Sequence, residues 1–424
     1  MRRGIAATAL VAALALAATA CGGDDSGSGK SDGPVTITWW DTSNATNEAP
    51  NYKALIAKFE KANPTVKVKY VNVPFDTAQN KFTTAAGSKG APDVLRSDVG
   101  WTPGFVKSGF LAPLDGSPAV TDTSAIDQTL VKQAQVDGKT YGVPLVTDTL
   151  GLLWNKDLLK KAGFDKAPTT LDELKAVSKA VADKTDADGF WLHADAYYLM
   201  PYLYGEGTDM VDAAAKKITI NDAAAVKAVT EAKSLLSAPG VHKLDATANK
   251  YANMQDAFNN GKVAMIVQGP WELTNIYKGK AFTDKANLGI SAVPAGSTGT
   301  AGAPLGGHNL VAYAGQDAAH LKASEKFIGY MTSAASQTEI TTKNGTLPTR
   351  TDAVTPAVKA LPGVSEFQAL LANGKARPAL PEYSSLYADL ATNYVKILQG
   401  KDSVQSGLDA TAKSYKKLVP TFSD

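Results

Sequence analysis

VTITWWDTSNATNEAPNYKALIAKFEKANPTVKVKY, residues 35–70, changes its hydrophobic period twice, and that change decides the fold. Val35-Thr36-Ile37-Thr38-Trp39 alternates, which is the signature of a strand with two different faces. Tyr52, Leu55, Ile56 and Phe59 then fall at i, i+3, i+4 and i+7, so a helix packs one face inward. Asn63-Pro64 stops it. Val66, Val68 and Tyr70 alternate again. A second helix is expected over Asp76 to Ala86, and Pro92-Asp93-Val94-Leu95 opens a third strand. Strand, helix, strand, helix, strand is the pattern of a parallel α/β sheet.

The remainder follows the same grammar. Thr170-Leu171-Asp172-Glu173 has capping-box spacing and opens a helix to about Asp183. An alanine-rich helix begins at Asn221. Val263-Ala264-Met265-Ile266-Val267, between Gly261 and Gly269, reads as a buried strand. Leu310 to Tyr313 reads as a strand and Ser324 to Met331 as a helix. Asn344 to Arg350 is a loop, and Leu386 to Phe422 is mostly helical. No internal repeat of fixed period occurs.

The start of the chain has a different character. Arg2-Arg3 precedes an apolar run from Ile5 to Ala18, followed by Thr19-Ala20-Cys21. Charged start, apolar middle and small-residue end mark a signal peptide over residues 1–20. The run is shorter than the ~20 residues a membrane-spanning helix needs. Cys21, the one cysteine in the chain, stands where the lipobox of bacterial lipoproteins, which this segment resembles, carries its acylated residue. That resemblance implies cleavage before Cys21, lipidation of its thiol and an extracytoplasmic protein anchored to the cell membrane. The Gly-, Ser- and Asp-rich stretch to residue 33 reads as a flexible tether.

Composition narrows the classes further. The 424 residues are 44% hydrophobic and 20% charged, ordinary for a globular chain large enough for two lobes. A net charge of +2 gives no reason to invoke nucleic acid. A single cysteine rules out intrachain disulfides. The four histidines, His193, His242, His308 and His320, are scattered without metal-ligand spacing, and no cofactor motif is present.

Six segments in order carry a more specific resemblance. They are Ile37-Thr38-Trp39-Trp40-Asp41-Thr42, Ala91-Pro92-Asp93-Val94-Leu95, Tyr141 to Leu158, Gly261 to Trp271, Leu347-Pro348-Thr349-Arg350 and Arg377 to Tyr383. Together they resemble the solute-binding proteins of ATP-driven sugar importers, of maltose/maltodextrin type. The resemblance implies an α/β fold of two discontinuous lobes joined by a hinge, with ligand in the cleft. The first lobe is expected at 34–146 and 311–355, the second at 151–305 and 362–424. It also implies a monomer without catalytic activity that captures sugar and docks on membrane permease subunits.

The same resemblance nominates the cleft residues, and sugar chemistry says why they suit. Hydroxyls call for carboxylate and guanidinium partners. The CH faces of the rings call for aromatic platforms. Trp271, after Gly269-Pro270, is the expected stacking ring, with Tyr387 and Tyr197 beside it. Asp98, Asp148 and Asp195 are the acids; Asp195 is either a direct contact or too short to be one. Arg377 closes the cleft. Trp40, Asp41, Asn44 and Glu48 lie in the loop between the first strand and helix. Arg96 either donates to hydroxyls or pairs with Asp98, and Trp101 either stacks or fills the core. Gly306-Gly307-His308-Asn309 either offers backbone N–H groups or is a simple turn. Two other functions remain open: capture of a different α-glucoside such as trehalose, or hydrolysis by a secreted glycosidase, which needs two carboxylates flanking the bond.

Overall fold

The computed structural model describes residues 34–423 apart from 295, 299 and 300. The expected signal peptide, Cys21 and the expected tether lie outside the described residues. The strands that matter are β1 (Val35–Asp41), β2 (Val66–Asn72), β3 (Val94–Asp98), β4 (Gly142–Asp148), β5 (Gly151–Asn155), β6 (Asp188–Trp191), β7 (Val263–Gln268), β8 (Leu288–Ser291) and β9 (Gly306–Ala312). The helices that matter are α1 (Ala49–Ala62), α2 (Phe75–Gly87), α3 (Leu171–Lys184), α4 (Ala196–Gly205), α5 (Lys250–Asn259), α6 (Ala318–Met331), α7 (Tyr383–Leu398) and α8 (Val404–Leu418).

One sheet runs β2-β1-β3-β9-β4, the other β8-β5-β7-β6. The expected parallel arrangement holds for β1, β2 and β3. It holds again between β6 and β7 of the second sheet and fails elsewhere: β9 is antiparallel to both β3 and β4, and β5 is antiparallel to both β7 and β8. Strand direction is set by how the chain returns from elsewhere, which no local period reveals. β9 also starts at Gly306, so the glycine pair sits inside a strand rather than in a turn. Between β4 and β5 only Thr149 and Leu150 intervene, so the chain passes from one sheet to the other in a single extended step.

Each sheet is covered on both faces, as alternation requires. In the first, Ile37, Trp39, Val94 and Leu310 join a cluster with Tyr52 and Phe59 of α1 and Phe327 of α6. Leu95 and Val311, one position on, point into a second cluster with Phe82 and Trp101. In the second sheet, Leu152 and Phe190 face α4 and α7. Leu153 and Trp191 face Phe258 and Phe282.

Helix ends follow the local rules with one adjustment. Thr170 accepts from the Glu173 amide at 3.2 Å, as a capping box demands. The returning Glu173 carboxylate takes the amide of Thr169 at 2.7 Å, one residue earlier than the box prescribes. α4, with Pro201 inside it, was not visible to a periodicity reading. Almost all of its residues are buried, so it has no polar face to set a period.

Candidate functional site

The C-terminal ends of β3 and β4 and the start of β9 meet at one edge of the first sheet, the edge where α/β sheets bind ligands. In register, Gly306 lies opposite Asp148 and His308 opposite Asp98. Against this edge the second half of the chain places Tyr197 at the start of α4, Arg377 before α7, and Tyr387 on α7.

These side chains form a connected group. Arg377 Nη1 donates to Asp98 Oδ1 at 2.8 Å, and its guanidinium lies 5.3 Å from the centre of the Tyr197 ring. Asp98 also receives the Gly100 amide at 2.7 Å. The Tyr197 hydroxyl donates to Asp148 Oδ1 at 3.3 Å. Tyr387 stands 6.4 Å from Tyr197 and packs edge-on to Tyr383 at 5.1 Å. Five nominated residues, Asp98, Asp148, Tyr197, Arg377 and Tyr387, are thereby brought together.

The electrostatics of the group are uneven. Asp98 receives the guanidinium's hydrogen bond. Asp148 has one long hydrogen bond, and burial pushes its carboxyl up to about 6, a rise that Arg377 moderates and Asp98 adds to. Gly306 makes room for it: a Cβ there would lie 2.0 Å from Asp148 Oδ1 and 2.7 Å from the Tyr197 hydroxyl.

The loop after β1 is organised inward. Asp41 is fully buried. Its carboxylate takes the Ser43 amide at 3.1 Å, the Ser43 hydroxyl, and the Tyr70 hydroxyl at 2.6 Å. Glu48 is also buried and accepts the Asn44 amide at 2.9 Å. Arg96 lies between them, 3.9 Å from Asp41 and 3.8 Å from Glu48, so it pairs with these two acids and not with Asp98. Asn44 is exposed and ties its own turn by accepting the amides of Thr46 and Asn47. Trp40 is half-buried and packs under the first sheet.

On the opposite side, Trp271 is partly exposed and packs against the second sheet's core. Its ring lies so close over Gly269 that a Cβ there would be 2.0 Å from it. Its Nε1 donates to the Tyr251 hydroxyl at 2.8 Å, which donates in turn to Glu272 at 2.7 Å. Asp195 caps α4 by accepting the Tyr197 amide at 2.9 Å. Trp101 is buried, with Phe75 stacked on it at 5.1 Å. Sequence reasoning did not single out Tyr251, which bonds Trp271, or Phe75 and the His308 side chain, which pack together at the edge of the first sheet. Phe75 had one available signal: it opens α2 directly after Pro74, at a strand-to-helix junction on the binding edge.

Among the described residues no cluster of His, Cys, Asp and Glu could hold a metal ion. Two α/β lobes with a polar, aromatic-lined edge between them define a class: a two-lobed binding protein. The chain belongs to the bacterial extracellular solute-binding proteins, whose family pattern matches residues 54–366. It is of the kind that serves ATP-driven sugar importers, and it is a binding protein rather than an enzyme, as its relatives are. It is similar to the GacH receptor of Streptomyces glaucescens GLA.O, solved unliganded and with acarbose, at 42% identity and a TM-score of 0.88, covering 92% of this chain and 99% of that one. It is 26% identical to the diacetylchitobiose binding protein DasA of Streptomyces coelicolor over 99% of both chains. It is 30% identical to the maltodextrin-binding protein MdxE of Bacillus subtilis over 60% of each.

Proposed function

We propose that this chain captures maltose or a maltodextrin between its lobes and delivers it to the membrane permease of an ABC importer. The observation that carries the reading is the group Asp98, Asp148, Tyr197 and Arg377, in which acids of the first sheet meet a cation and a phenol from the second half of the chain. A sugar hydroxyl supplies Asp148 with a donor beyond the long bond from Tyr197, and Tyr197, Tyr387 and Trp271 supply flat apolar surface for the ring faces. Closure is favoured to the extent that ligand touches the second lobe more in the closed form than in the open one. The lobes are taken as 34–146 with 311–355 and 151–305 with 362–424. Acyl chains on Cys21 hold the protein at the membrane; two or more are required, since one anchors only marginally.

Support for an α-glucoside comes from relatives named for maltodextrin or solved with acarbose. Calorimetric titration of the purified chain with maltose, maltotriose, acarbose, trehalose and diacetylchitobiose tests it. Maltotriose or acarbose is expected to bind most tightly. Binding of diacetylchitobiose alone, or of trehalose in preference to every maltodextrin, overturns the proposed ligand. Release of shorter sugars from maltotetraose would overturn the non-catalytic assignment.

A further inference from the structure

Phe75 is the one large hydrophobic side chain with an exposed surface among the described residues, at 44%. Its position is not that of a stray surface residue. It opens α2 at the binding edge of the first sheet, stacked on Trp101 at 5.1 Å and 28°. His308 stands edge-on to it at 5.8 Å and 78°. Trp101 is locked from behind by Phe105, 6.3 Å away in the core, so the Phe75 ring rests on a fixed base and presents its outer surface outward.

His308 adds the polar half. Both of its ring nitrogens are buried, and neither has a hydrogen-bond partner. Burial, with Arg96 and Arg377 nearby, holds the imidazole well below its usual range and therefore neutral. A neutral imidazole offers one donor and one acceptor. Leaving both unused inside a protein is costly, and such groups in native structures call for an explanation. On the neighbouring strand, Asp98 lies opposite His308 in register, so these nitrogens belong to the same edge as the acids.

We infer that Phe75, Trp101 and His308 form a separate saccharide subsite on the first-lobe wall of the cleft. Phe75 stacks on one pyranose ring, and one nitrogen of His308 exchanges a hydrogen bond with a hydroxyl of that ring. This rests on the sugar-binding reading and adds a unit to it: a ligand of two or more sugars spans from the Asp148 group to this wall. A monosaccharide reaches one of the two.

The test is calorimetric titration of the purified full chain with glucose, maltose and maltotriose, alongside Phe75→Ala, Phe75→Tyr, Phe75→Leu and His308→Leu. Phe75→Ala and His308→Leu are each expected to weaken maltotriose binding about tenfold, the loss of roughly one good contact. Phe75→Tyr keeps a flat ring and stays within about twofold, whereas Phe75→Leu behaves like alanine. The unliganded melting temperature separates binding from structure. Phe75→Ala leaves it unchanged, and His308→Leu raises it, because two unpartnered nitrogens are replaced by an apolar group. Both variants binding maltotriose within twofold of the parent overturns the subsite while the sugar-binding reading stands. A lowered melting temperature in His308→Leu with unaltered affinity makes His308 a structural residue and also overturns it. A parent chain that binds no saccharide overturns both readings.

Discussion

Asp148→Asn separates the stability of the cleft from its function. The carboxyl is pushed up to about 6 from 3.8, chiefly by burial. An acid whose folded pKa is raised binds more protons in the native state than in the unfolded one between those two values. Stability therefore falls as pH rises from about 4 to about 6, and the full penalty is present above that window. At 1.36 kcal/mol per unit, a rise of about two units corresponds to about 3 kcal/mol. The folded unit spans Pro34–Asp424, and at ~2.1 cal/mol/K per residue its unfolding entropy is about 0.8 kcal/mol/K, so 3 kcal/mol is about 4 °C in Tm. Asparagine has no charge to bury and still accepts from Tyr197. The variant should melt about 4 °C above the parent at pH 7.5 and level with it at pH 4. On the proposed reading it should also bind maltotriose at least tenfold more weakly at pH 7.5, because a hydrogen bond to a charged acceptor is replaced by one to a neutral amide. Differential scanning fluorimetry at both pH values, with titration calorimetry, measures all of this. A melting difference that is the same at pH 4 and pH 7.5 refutes the reasoning about Asp148.

Three further outcomes follow from particular contacts. Gly306→Ala places a methyl 2.0 Å from Asp148 Oδ1; it should lower Tm by several degrees and abolish sugar binding, and Gly306→Ala combined with Asp148→Ser should recover most of the Tm but none of the affinity. Trp271→Phe keeps a ring over Gly269 and forfeits the 2.8 Å bond to Tyr251; it should cost about 1 kcal/mol in urea denaturation and weaken sugar binding severalfold, and unchanged affinity would remove Trp271 from the contact set. Cys21→Ser should appear in the culture medium with the parent's sugar affinity, and a variant that stays with the membrane fraction counts against the lipid anchor.

What was legible in the sequence was local. β1, α1 and β2 were readable because each has one face against its own core cluster, which imprints a period of two or 3.6 on the residues. α4 was not, because a helix buried on nearly every side carries no period. The reversal of β9 was not, because its direction depends on a return from the second lobe. The residues of the site divide the same way. Asp98, Asp148 and Gly306 end or begin strands and so could be placed at the binding edge. Asp41 and Glu48 looked equally suited to hydroxyls from their loop position. Their partner, Arg96, lies far along the chain on β3, and only its arrival shows that both acids are occupied inside the lobe. Pro74-Phe75 marks a strand-to-helix junction at the edge but not the exposure of the ring, which depends on Trp101 taking the buried place beneath it.

The contacts between the halves of the chain also indicate how selection among sugars is divided. Lys107–Glu382, at 2.5 Å, is largely exposed on the lysine side and carries little energy. The enclosed contacts, Arg377–Asp98 and Tyr197–Asp148, carry more, and they are unlike each other. Asp98 is satisfied before any ligand arrives, by a guanidinium and an amide. Asp148 is left with one long hydrogen bond and an ionisation that burial opposes. A ligand hydroxyl therefore gains little at Asp98 and much at Asp148, where it relieves a cost already present. Rings discriminate weakly, because every pyranose has an apolar face, whereas a site built to bond a hydroxyl rejects an analogue lacking it far more strongly. On the proposed reading, the aromatic walls make the cleft receptive to sugars as a class, and the orientation of the hydroxyl that reaches Asp148 decides which sugar is held.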